Sequence, residues 1–196
     1  MVSPTVYLSG ERPADALLSK DPLALLIGML LDQQIPLERA FFGPFALQDR
    51  LGRHLDAADI ASMDPDTLVD IFRQKPAIHR YPGSMAARVQ QLCQVLVDQY
   101  GGKATAVWKS AKSGADVVSR LMALPGFGES KARIFTALLG KQFGLKAPGW
   151  EAASSPFGDP GTHRSVADIV DEASLLAVRA YKQSLKATAK ADPRRT

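Results

Sequence analysis

Nine residues, 23–31, carry no polar side chain; they follow the pair Asp21-Pro22 and stop at Asp32-Gln33-Gln34. An aspartate before a proline is the pattern of an N-cap and a first helical turn, so the run reads as a helix. Nine residues are about half of the ~20 that cross a bilayer. A short helix that is apolar on every side therefore belongs inside a bundle of other helices. The polar triplet ends it abruptly and Pro36 can open the next helix, so Asp32, Gln33 and Gln34 sit on a tight turn from which side chains project.

Helical spacing of apolar residues recurs over 37–51, 64–73, 84–100 (closed by Gly101-Gly102), 114–124, 130–143 and 171–191. Alternation of the strand type is confined to 5–8. The predicted class is all-α. Residues 147–161 crowd six glycines and prolines together and read as a loop; 192–196 read as a disordered tail. The length, 196 residues, suits one core or two small lobes, and 46% hydrophobic content is ordinary for a globular chain.

The single cysteine, Cys93, lies in the apolar spacing of Met85, Val89, Leu92 and Leu96, which predicts a buried thiol and no internal disulfide. His54, His79 and His163 have no partner at zinc-ligand spacing. The N-terminus lacks a secretory pattern, so the expectation is a cytoplasmic protein with no membrane partner. A net charge of +4 is compatible with a polyanion but common elsewhere. The stripe Arg179, Lys182, Lys186 and Lys190 on the last helix is either solvated surface or a contact for nucleic-acid backbone.

The segment Leu124-Pro125-Gly126-Phe127-Gly128-Glu129-Ser130-Lys131-Ala132 joins two of the predicted helices. Glycines at 126 and 128 can adopt positive φ and carry no Cβ, so their amides can approach a phosphate oxygen while the following helix points its positive end the same way. A plain helix-helix turn would use the same glycines.

This segment resembles the helix-hairpin-helix signature of the endonuclease III superfamily of base-excision DNA glycosylases (HhH-GPD). Residues 25–34 are similar to that family's apolar helix ending in a polar pair, and 82–89 to its helix leading toward the hairpin. The matches occur in family order and span roughly 21–170. The resemblance implies a two-lobed helical fold, with 23–130 as the central lobe and 1–22 plus 131–191 as the second. Its implied partner is double-stranded DNA, bound by a monomer, at the nucleoid if the chain is bacterial. Many relatives carry a four-cysteine iron-sulfur cluster, which a chain with one cysteine cannot ligate. No cofactor is expected, although a monovalent cation at the hairpin fits the family pattern.

By the same resemblance Gly126, Phe127 and Gly128, with Ser130 and Lys131, would hold a phosphate, and Gln33 or Gln34 would fill the gap left by a flipped base. Both glutamines also suit a helix-capping role. Cleavage of an N-glycosidic bond builds positive charge on the sugar, which a carboxylate stabilises. Family order assigns that role to Asp168, with Asp159 second; both also suit structural roles at a helix start and a turn. Relatives that cut the strand carry a lysine where this chain has Ser130, and Lys131, rotated by about 100°, is expected to face elsewhere. A monofunctional glycosylase follows, with an inactive DNA-binding module and a helical protein-interaction domain as the alternatives. His79, Tyr81 and Trp150 are candidates for the base pocket, with Arg80 and Phe157 beside them.

Overall fold

The computed structural model describes residues 6–191, apart from the side chains of 186 and 189–191. The described residues are helical without a strand, as the periodicity predicts. In order the helices are α1 (Arg12–Lys20), α2 (Pro22–Leu31), α3 (Leu37–Leu51), α4 (Ala57–Ser62), α5 (Pro65–Arg73) and α6 (Pro82–Tyr100). They continue as α7 (Ala106–Lys109), α8 (Gly114–Met122), α9 (Glu129–Phe143), α10 (Trp150–Ala153) and α11 (Glu172–Ala191), with a 3-10 turn at Val166–Asp168. The expected tail, 192–196, lies outside the described residues. Residues 6–8 form no strand; the amides of Leu8 and Ser9 instead donate to the buried Asp15 carboxylate at 3.1 and 2.8 Å. No helix is long and apolar enough to cross a membrane among the described residues.

α2 begins as the sequence suggests. Asp21 accepts from the amides of Leu23 and Ala24 at 2.8 and 3.3 Å, and residues 23–31 are buried all round. α1 and α3 flank it. Gly28 makes the α2–α3 approach possible, since a Cβ there would lie 2.8 Å from the Phe41 ring. α4 and α5 pack on α6, while α8, α10 and the 3-10 turn gather around α9. α1 packs on both α2 and α3. Cys93 is fully buried in α6, and burial pushes its thiol up to about 12.

Within the predicted loop 147–161, the short α10 presses Trp150 onto α9. A Cβ on Gly140 would meet the Trp150 ring at 2.3 Å. Beyond it, Lys141 Nζ donates to Asp159 O at 2.7 Å and to the Asp168 carboxylate at 2.6 Å. Gln142 Nε2 donates to the carbonyls of Ala167 and Ile169 at 2.9 and 3.1 Å. The C-terminal half of α9 thus anchors much of the segment that leads to α11, and Arg133 nearer its start adds a hydrogen bond to Ser155 O at 3.1 Å.

Candidate nucleic-acid interface

The glycine turn between α8 and α9 is open to solvent. Gly126 has φ +78, the left-handed region, and both Gly126 and Gly128 are exposed. Gly128 is the N-cap of α9, without a side-chain cap, so the first amides of that helix are unpaired within the described residues and point outward. Phe127 was expected at the strand and is instead core: it is 4% exposed and packs edge-on to Phe135, with ring centroids 6.1 Å apart. Burying this ring between two exposed glycines fixes the turn while leaving its backbone free.

The turn sits directly on the end of α2. A Cβ on Gly126 would lie 2.3 Å from Leu30 Cδ1. Lys131 Nζ donates to Leu30 O at 3.1 Å and lies 5.9 Å from the Phe127 ring centroid. The phase of α9 turns Lys131 inward toward α2 and leaves Ser130 exposed, so the two side chains point apart. Burial lowers the Lys131 pKa to about 8, with nearby Asp32 opposing and Arg88 reinforcing the shift.

The chain reverses sharply beyond Leu31. Asp32 has φ -71 and ψ 72, and the amide of Gln33 donates to Leu31 O at 2.7 Å, the geometry of an inverse γ-turn. Gln34 follows with φ 58, the one non-glycine residue at positive φ among the described residues. That conformation costs roughly 1–2 kcal/mol, and strain of this kind gathers at functional positions. Gln34→Gly is expected to raise stability by about 0.5–1 kcal/mol in chemical denaturation; a loss would show that the amide holds the turn.

The two glutamines differ. Gln33 is committed, with its Nε2 donating to Leu30 O at 2.7 Å and its Oε1 accepting from Arg88 at 2.8 Å. Gln34 is exposed and makes no hydrogen bond to a described residue, which leaves it as the projecting amide. His79, 1% exposed, also supports the turn: its Nε2 lies 3.0 Å from Gln33 O, and its Nδ1 accepts from the Tyr81 amide at 3.0 Å. These partners place the ring proton on Nε2, donating to Gln33 O. Burial holds the His79 pKa below its ordinary value, against the pull of the Gln33 and Leu31 carbonyls.

Gln33, Gln34, His79, Tyr81, Ser84 and Arg88 line a polar pocket of about 340 Å³. Tyr81 is 43% exposed at its rim, with the Arg80 guanidinium 5.4 Å from its ring centroid. Residues 46 and more apart in sequence, such as Gln33 and His79, are thus brought together here. Trp150 is not among them. It belongs to the α8–α9–α10 junction, on Gly140, nine residues along α9 from Lys131.

The two expected carboxylates are both engaged within the fold. Asp168 is 4% exposed; beyond Lys141 it accepts from the amides of Arg164 and Ser165 at 2.8 and 3.1 Å, which completes a capping box on the 3-10 turn. Both of its oxygens are occupied. Asp159 faces Arg164 at 3.7 Å and accepts from Ser155 Oγ at 3.3 Å. Lys141, which holds this region, is ten residues beyond Lys131, about 15 Å along the helix axis. Asp168 thus braces the far end of α9, away from the glycine turn.

No family model matches the chain. No curated protein matches it either. A solved structure of a thermostable thymine-DNA glycosylase is similar to 90% of this chain and 78% of its own, with 14% identity and a TM-score of 0.42.

On the last helix, Arg179 pairs with Glu38 of α3, so part of the basic stripe is used within the fold. Burial raises the Asp32 pKa, and the exposed Lys182 is near enough to oppose that rise. The side chains of Lys186 and Lys190 lie outside those described. Among the described residues no group of three or more His, Cys, Asp or Glu is arranged to hold a metal.

Proposed function

We propose that the chain is a DNA base-excision glycosylase of the helix-hairpin-helix type, binding double-stranded DNA as a monomer and hydrolysing the bond between sugar and base. The observation that carries this reading is the seating of the exposed Gly126–Gly128 turn on the end of α2. A strand held by the turn's amides would then pass beside Gln34 and the pocket bounded by His79, Tyr81 and Arg88. The order of the three motifs in the sequence supports it further. Backbone amides grip phosphate without reading sequence, and Gln34 supplies an amide that can occupy a vacated base position. Ser130 stands where strand-cutting relatives have their lysine, which favours a monofunctional reaction. The two lobes would meet at the glycine turn.

The test is a panel of duplexes carrying alkylated, deaminated or oxidised bases, assayed for base release and for binding at low salt. Release from one class supports the reading. Tight, salt-sensitive binding without release favours the inactive DNA-binding module, a reading that the committed oxygens of Asp168 make specific. Absence of binding at low salt rejects both.

Lys131 gives this binding a pH signature. Its ammonium form attracts phosphate, and it loses its proton as pH rises through about 8. DNA affinity at fixed low salt is therefore expected to fall several-fold between about pH 7 and 9, and Lys131→Met should flatten that step. A pH-independent wild-type affinity over the same range would remove Lys131 from the interface.

A further inference from the structure

Resting on the glycosylase reading, we infer that Asp32 is the carboxylate that acts on the sugar of the nucleotide beside the glycine turn. Leu30 joins Asp32 to that turn: its side chain packs under Gly126, and its carbonyl accepts from Lys131 two residues before Asp32. Asp32 is the central residue of the sharp reversal that also projects Gln34. Its carboxylate is partly exposed and receives no hydrogen bond from a described residue. The other acidic groups near the site or named by sequence are engaged: Glu38 with Arg179, Asp159 with Arg164 and Ser155, Asp168 with Lys141 and two amides.

An aspartate at a helix C-terminus stands against the negative end of the helix dipole. Burial is what raises the Asp32 pKa, with Lys182 and Lys131 opposing the rise and Glu38 adding to it. The two ammoniums favour its ionised form against burial.

In the reaction, the bond between C1′ and the base nitrogen breaks and its electron pair leaves with the base. Positive charge shared by C1′ and the ring oxygen is stabilised by Asp32. Water adds its oxygen to C1′ and gives a proton to Asp32, which returns it to solvent. The departing base takes a proton from solvent. The products are an abasic sugar and the free neutral base.

The test does not depend on knowing the lesion. One duplex carries a pyrrolidine abasic analogue, cationic at neutral pH; a second carries the neutral tetrahydrofuran analogue. The wild-type chain should bind the cationic duplex about tenfold more tightly or better. Asp32→Asn should abolish that preference while keeping the affinity for the neutral duplex, and Asp168→Asn should retain it. A preference that survives Asp32→Asn, or equal wild-type binding of the two duplexes, overturns the assignment and leaves the DNA-binding reading standing. Failure to bind either duplex at low salt overturns both.

Discussion

Asp168→Ala lowers the unfolding free energy by about 3–5 kcal/mol in urea denaturation, without any contact between that residue and DNA. The carboxylate is 4% exposed and takes a 2.6 Å hydrogen bond from Lys141, itself 17% exposed. Removing it leaves an ammonium held by a single carbonyl, Asp159 O, and strips the acceptor from the amides of Arg164 and Ser165. A buried charge without its partner is among the largest penalties a point substitution can impose. For a chain of this size the loss corresponds to a fall in Tm of roughly 10 °C. Lys141→Met combined with Asp168→Leu should recover much of it, because no charge is left unpaired. A loss below about 1 kcal/mol, with activity abolished, would instead return Asp168 to a role in catalysis.

Gly126→Ala is expected to weaken DNA binding by about tenfold or more and to cost about 2–3 kcal/mol of stability. Two causes act together there. The backbone is at φ +78, and the new methyl would lie 2.3 Å from Leu30 Cδ1. Leu30 is fully buried and cannot swing aside. Gly128→Ala is the matched control: φ is -78, and its Cβ would meet nothing within 4 Å. It should leave stability within about 0.5 kcal/mol while placing a methyl where a strand would lie. Titration of both variants with a labelled duplex, beside their denaturation curves, separates a collapsed turn from an obstructed one. Unchanged binding by Gly126→Ala would show that the turn does not hold the strand.

The helices that were readable in advance are those whose ends carry their own chemistry. Asp21-Pro22 starts α2 by two amide hydrogen bonds, and Gly101, at φ 59, closes α6. α4, α7 and α10 escaped because they are short, and α1 escaped with them; what holds all four is tertiary: the buried Asp15 gathering the N-terminal amides at α1, α6 beneath α4, α8 beside α7, and α9 beneath α10. At the site, the glycine turn was legible because positive φ has a residue signature. The phase of α9 against α2 was not, since rotation along a helix says which side chains diverge and nothing about which one meets a neighbour. Gln33 looked as free as Gln34 until Arg88, 55 residues away, was seen to hold it. Asp32 did leave a trace, as an acid set against the unfavourable end of a helix dipole.

α9 serves both α2 and the segment 150–169. Gly140, Lys141 and Gln142 fasten that segment near one end of the helix, and Arg133, two residues from Lys131, holds Ser155 O nearer the other. Any change in the length of that segment therefore has to respect two footholds on one helix, Ser155 against Arg133 and Asp168 against Lys141. The stretch between those footholds, 156–167, is where added residues would disturb α9 least.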